Sequence, residues 1–188
     1  SRKHTHPKRE IETELGNLIA DAVQDAAESD FVLLGSGSIR TKEIGPIVTL
    51  MDLKTCFPYD DSLTRFTISG AQIFKMFEHF MRKENRNGEG ENYQVNMGIQ
   101  AIYSESEARL LSLKKDKEDI KLDEFYTICL QGYHYKNSKT YLNISKEELE
   151  LSGKTKVIST SAQEVIEEFL RNNQNTFRET EGRLVYEK

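Results

Sequence analysis

The stretch from Arg9 to Arg40 constrains this chain most, because it fixes a helix, a buried strand and a glycine-punctuated turn in direct succession. Leu15, Leu18, Ile19, Ala22, Val23 and Ala26 recur at helical spacing and define one apolar stripe, with Glu12, Glu14, Asp21, Gln24 and Asp25 assigned to the remaining surface. Acidic residues crowd the first turn, where the helix dipole favours them, and Ser29-Asp30 ends the helix. Phe31-Val-Leu-Leu34 is short, wholly apolar and bounded by polar residues, the pattern of a strand buried on both faces. Gly35-Ser-Gly-Ser38 then turns the chain. Glycines after a buried strand let backbone amides approach a ligand, so Arg40 is either an anion contact or a solvated cation beside a tight turn. Arg9 and Arg40, one at each end, can meet in space.

Around this segment the pattern alternates. Thr49-Leu-Met-Asp52 is a capping box opening a short helix that Pro58 ends, and Ser62–Ile68 alternates as a strand. A second box, Ser69-Gly-Ala-Gln72, precedes a helix with the stripe Ile73, Met76, Phe77, Phe80 and Met81. His79 lies off that stripe, at the surface or its boundary. Residues 82–92 read as a mobile polar loop. Tyr93–Val95, Ile99–Tyr103 and Arg109–Leu113 carry strand residues, the last two as a hairpin. A charged loop over 114–121 leads to Glu124–Leu130, whose two apolar faces mark a central strand. Gln131–Tyr141 follows as a tyrosine-rich loop, and 145–153 as a Lys/Glu-rich connector. A strand at Lys156–Ser159, a helix opened by Ser161 with the stripe Val165, Ile166, Phe169 and Leu170, and a short strand at Gly182–Tyr186 complete the chain.

The 188 residues suffice for one domain with a real core. Signs are interspersed around a net charge of −5, which leaves no basic stripe for a nucleic-acid backbone, and no apolar run approaches the length of a membrane span. The opening S-R-K-H-T-H-P-K-R makes residues 1–8 a polar tail leading from a preceding segment into a domain over 9–188. Cys56 and Cys129, neither in a CxxC, form one disulfide or two buried thiols. Asp60 and Asp61 have no histidine or third carboxylate nearby and fit turn chemistry more readily than a metal site. His4, His6, His79 and His134 lack metal-ligand spacing.

An ordered set of motifs then adds a family. An Arg-x-x-Glu ahead of L-G-N-L-I-A-D-A, G-S-G-S-I-R followed by G-P-I, F-P-Y, T-I-S-G before a helix and a final G-R-L-V-Y occur in one order over nearly the whole chain. This set resembles the C-terminal domain of the 5'-nucleotidase family. The resemblance implies an α+β fold, a single domain with a mixed sheet covered by helices. It also implies a calcineurin-like metallophosphoesterase domain upstream, holding two divalent metals and the catalytic residues, with the present domain binding the nucleotide substrate. Arg9 and Arg40 match arginines that contact phosphate or ribose, and Tyr59 and Tyr133 match the aromatics that sandwich the base. Two matches fail: Gly35 stands where the motif has a base-contacting Asn, and Lys139 where it has a ribose-binding Asp. The expected substrate contacts are therefore Arg9, Arg40, Tyr59 and Tyr133, with Asp61 replacing the lost ribose contact and Lys139 favouring a more anionic ligand. On this reading the domain has no catalytic residue or cofactor of its own, and an extracellular or cell-surface location is favoured.

Overall fold

The computed structural model describes residues 2–86 and 90–188. In chain order its elements are β1 (His4–Thr5), α1 (Glu14–Ala27), β2 (Phe31–Gly35), β3 (Glu43–Ile44), α2 (Leu50–Cys56), β4 (Leu63–Ser69), α3 (Gly70–Phe80), β5 (Tyr93–Val95), β6 (Ile99–Ser104), β7 (Arg109–Lys115), β8 (Glu118–Asp119) and β9 (Phe125–Gln131). There follow α4 (Gly132–Lys136), α5 (Ser138–Leu142), α6 (Lys146–Glu150), β10 (Lys156–Ser159), α7 (Ala162–Asn172) and β11 (Leu184–Glu187). The mixed sheets flanked by helices give the α+β single domain that the motifs implied.

A five-stranded sheet, in the order β10-β4-β9-β2-β5, carries the domain. Its β2–β9 pair is parallel and its other pairs are antiparallel. Successive side chains of a strand point to opposite faces, and β2 shows the consequence. Phe31 and Leu33 enter a core shared with α3 and the four-stranded sheet β11-β6-β7-β8, while Val32 and Leu34 enter a second core with α1, α2 and α7. Every residue of β2 is buried. Cys56 and Cys129 are free thiols in the second core, and burial pushes the Cys129 thiol up to about 12.

The two capping boxes form as read, at Thr49 with Asp52 and at Ser69 with Gln72. Four expectations change. Residues 4–6 are not a loose tail, since β1 pairs antiparallel with β3 and His4 and His6 are buried. The 114–121 loop extends the hairpin instead: Lys115 pairs with Glu118 across a two-residue turn in which Asp116 and Lys117 have φ of 51° and 72°. That is the left-handed geometry usually signalled by Asn-Gly, which the sequence here does not show. Residues 145–153 hold α6, opened by a capping box of Ser145 with Glu148. The tyrosine-rich loop is two short helices, α4 and α5, with His134, Ser138 and Leu142 turned inward.

Glu12 and Asp21, assigned to the surface of α1, are buried. Asp21 accepts from Arg183 Nη1 at 2.7 Å and Nη2 at 3.1 Å, from Arg178 Nε at 2.6 Å and from the Met97 amide at 2.7 Å. Glu12 accepts the amides of Glu181 and Arg183, both at 2.7 Å. These bonds lock the final strand segment to α1.

Residues 87–89 of the expected mobile loop lie outside the described residues, but its flanks are anchored. Arg86 pairs with Glu105 and lies 3.8 Å over the Tyr186 ring, and Asn92 Nδ2 donates to the Arg9 carbonyl at 2.9 Å.

Candidate functional site

The candidate cleft lies where β2 and β9, the parallel pair, deliver their C-terminal ends. Ligands in α/β architectures gather at such ends because glycine turns and helix starts follow there. From β2 comes the turn with Gly35, Gly37 and Arg40; from β9 come Gln131 and α4 with Tyr133 and His134. The loop between α2 and β4 adds Tyr59, and the approach to β5 adds Glu91.

Arg40 is fixed by its amide, which donates to the Cys56 carbonyl at 2.7 Å, leaving its side chain exposed. The guanidinium lies 5.9 Å from the centre of the Tyr59 ring and donates to the Gly37 carbonyl at 3.3 Å. Tyr59 is 53% exposed and Tyr133 52%, so neither is a core aromatic. Asp61 ties their loops together, accepting the amides of Tyr133 and of Ser62. Asp61 is thus in the cleft as a strut. Asp60 is not, because its carboxylate caps α7 by accepting from Ser161 Oγ at 2.7 Å and the Gln163 amide at 3.3 Å.

The charges of Arg9 and Arg40 both act on Glu91, in the segment that leads into β5. Burial pushes the Glu91 carboxyl up, opposed by its bond from the Gly37 amide and by the charges of both arginines. Lys139 falls elsewhere: it is exposed on α5, its charge acting on His79 of α3 and on Glu148 of α6. Arg40 is thus linked to Tyr59, Asp61 to Tyr133, and Arg9 to Arg40 through the charge on Glu91, whereas the neighbours of Lys139 lie on α3 and α6.

Two cleft residues are not evident in the sequence. Glu91 sits in a stretch that reads as a polar loop. His134 sits among tyrosines with no periodic signal, yet it is the buried floor of the cleft, its Nδ1 sharing a hydrogen with Tyr93 Oη at 2.9 Å. Burial lowers the His134 pKa to about 4, so the imidazole is neutral at pH 7. Its ring explains Gly35, because a Cβ there would stand 2.0 Å from His134 Nε2. The space a side chain at position 35 would take is already filled. The signal that could have found Glu91 is the register of β5 against β2, in which Gly35 pairs with Tyr93; two residues further out, Gly37 meets Glu91.

Among the described residues no group of three or more His, Cys, Asp or Glu is placed to hold a metal, and no helix is long and apolar enough to cross a membrane. A cavity of about 750 Å³ opens elsewhere, between Arg2, Pro46, Leu50, Leu170 and Phe177, and shares no residue with the cleft.

The ends of the parallel strands thus present arginines, tyrosines and a half-buried carboxylate at one edge of the mixed sheet. The chain belongs to the family described as the 5'-nucleotidase, C-terminal domain, whose model matches residues 2–146. It is 27% identical over 184 residues to Endonuclease YhcR of Bacillus subtilis (strain 168), covering 92% of this chain and 14% of that protein. It is 31% identical over 139 residues to the snake venom 5'-nucleotidase of Naja atra, covering 66% of this chain and 25% of the venom enzyme. The structure of a 5'-nucleotidase precursor from Thermus thermophilus superposes with a TM-score of 0.76 at 20% identity, over 98% of this chain and 38% of that one. The chain spans less than two fifths of each of these relatives.

Proposed function

We propose that this domain recognises the nucleotide for a metal-dependent phosphoesterase whose catalytic domain, with two divalent metals, lies on the N-terminal side in the parent protein. Tyr59 and Tyr133 hold the base, and Arg9 and Arg40 hold the polar part of the ligand. The observation that carries this reading is the pair of half-exposed tyrosines, one on the loop after α2 with Arg40 near its ring and one at the start of α4, joined through Asp61. Stacking on an aromatic contributes roughly 1–3 kcal/mol per base and tolerates any base, because every base has a π-face. When bound in the catalytic domain, the metals supply the activated water and stabilise the leaving oxygen. The present chain's part is to bind and orient. Its membership of the nucleotidase C-terminal family supports that division. An extracellular or cell-surface location belongs to the same proposal.

Titrating AMP into the 188-residue chain tests the reading. Tyr59→Ala is expected to weaken binding by roughly 1–3 kcal/mol, and Arg40→Ala to weaken it as well. Affinity unchanged in both variants overturns the site, and turnover of AMP by the chain alone with added Mn²⁺ overturns its purely recognitional role.

Gly35 and Lys139, where the family motifs carry Asn and Asp, favour a second reading: a binding or domain-orienting module in a parent that no longer hydrolyses nucleotides. Metal ligands intact in the upstream domain would exclude it.

A further inference from the structure

We propose that Glu91 is a specificity-determining residue of the cleft, its carboxylate accepting hydrogen bonds from vicinal hydroxyls of a sugar while Arg9 and Arg40 donate to the same hydroxyls. The proposal rests on the reading of this cleft as a nucleotide site and changes what its arginine corner recognises.

The turn after β2 looks suited to an anion, but its amides are already engaged. Gly35 N–H donates to Gln131 Oε1 at 3.3 Å, Ser36 N–H to the Asn92 carbonyl at 2.8 Å and Gly37 N–H to Glu91 Oε1 at 2.8 Å. Three successive donors that could have cradled a phosphate are thus satisfied from within. The third is satisfied by a carboxylate, a group that repels an incoming phosphate.

Glu91 is held closely against the turn. A Cβ on Gly37 would come within 2.8 Å of Glu91 Oε2 and 3.2 Å of Oε1, so the carboxylate lies directly over the glycine. The charges of Arg9 and Arg40 both bear on Glu91, so two guanidinium groups and one carboxylate give this corner a net charge of +1. A phosphate dianion entering it gains two cations but meets a like charge in a partly desolvated space, where such repulsion is poorly screened.

A neutral diol fits the same groups without conflict. Each hydroxyl donates once and accepts, and the corner offers both functions: a carboxylate that only accepts beside guanidinium groups that only donate. An ionised carboxylate has about four lone-pair sites, and the Gly37 amide takes one. The neighbouring Tyr59 ring, beneath Arg40, supplies the face for the base that the same sugar carries. The phosphate of a nucleotide then lies away from this corner.

The test compares adenosine, 2',3'-dideoxyadenosine and inorganic phosphate on the 188-residue chain and on Glu91→Gln, by calorimetry and by the amide spectrum, which also reports folding. The wild-type chain is expected to bind adenosine about tenfold or more tighter than the dideoxy analogue, as loss of hydrogen bonds to a charged group implies, and to show no response to phosphate in the same range. In Glu91→Gln the two nucleosides should bind within about twofold of each other. The Gly37 amide resonance of the wild type should shift with adenosine and not with the dideoxy analogue, a readout that needs no variant. Equal binding of the two nucleosides to the wild type, or an unchanged preference in folded Glu91→Gln, overturns the proposal. If Tyr59→Ala still weakens adenosine binding in that case, the nucleotide site stands without this role for Glu91. If the wild type binds AMP but no adenosine, this proposal falls alone; if it binds neither, both fall.

Discussion

Two groupings of arginine with carboxylate in this molecule have opposite characters. At the knot of Asp21 with Arg178 and Arg183, the Arg183 side chain is 1% exposed and Asp21 5%, and every oxygen of Asp21 faces a donor. At the cleft corner, Arg9 and Arg40 are exposed and Glu91 holds one backbone amide. Desolvated charges are tolerated only when fully paired, so the knot is complete and has nothing left to offer a ligand. The corner keeps unused donors and acceptors in reach of solvent. Similar residue types therefore fasten the chain in one place and stay open to solvent in the other, and burial decides which.

The largest way to test that contrast is Asp21→Asn, which strands Arg183 in the core. It should cost about 3–5 kcal/mol, lowering the melting midpoint by on the order of 10 °C, with nucleotide affinity of the folded fraction unchanged. A midpoint within a degree of wild type would mean that the knot holds nothing.

Acid should act on the floor of the cleft. Burial holds both His134 and His6 at about 4, below the ordinary 6.5. Between those values the unfolded chain binds protons that the folded chain refuses, so stability is full above pH 6.5 and falls as the pH drops towards 4. The loss should reach about 3 kcal/mol for each histidine. Denaturant melts at pH 7, 5.5 and 4.5 check the slope, and His134→Gln should remove about half of it.

Gly35→Ala places a methyl group against the His134 ring and should cost roughly 1–3 kcal/mol. If the clash is the reason for glycine, His134→Ala in the same chain relieves it, and a double-mutant cycle should give a coupling of at least about 0.5 kcal/mol. Additive effects would sever the link between Gly35 and the cleft floor. The smallest effect belongs to Lys121→Ala, which breaks an exposed pair with Glu124 outside the cleft. Neither melting midpoint nor affinity should move measurably, because a solvated pair contributes little. Arg40→Ala should match it in stability and differ from it in binding, which separates an exposed charge that recognises from one that does not.

Much of the fold was legible because its signals act over three or four residues. The apolar run of β2, the stripe of α3 and the boxes at Thr49 and Ser69 each state their own conformation. The misses share a cause. The turn at Asp116-Lys117 lacks glycine, and α4 and α5 have no stripe, being held by packing of Tyr135, Tyr141 and Leu142 on the core. On the helix α1, Asp21 looks like any surface acid until Arg183, 162 positions away, is brought to it. In the site, Arg9, Arg40, Tyr59 and Tyr133 were accessible through ordered motifs. Asp61 lies in the cleft as a strut between loops, a role that only its contacts reveal, and Lys139 follows from counting along a segment that folds into helices instead of a loop.

The sequence by itself determined the longer elements, the two-sided burial of β2, the single-domain class and the order of the motifs that carry Arg9, Arg40, Tyr59 and Tyr133, since periodicity, caps and motif order are local properties of the chain. Only the tertiary structure decided what those residues face. The antiparallel register that sets Gly35 opposite Tyr93 carries Glu91 over Gly37, and the fold behind β9 sends His134 into the space beside Gly35. Sheet register joins positions more than fifty residues apart through backbone hydrogen bonds that are the same for every side chain, so no local pattern records it.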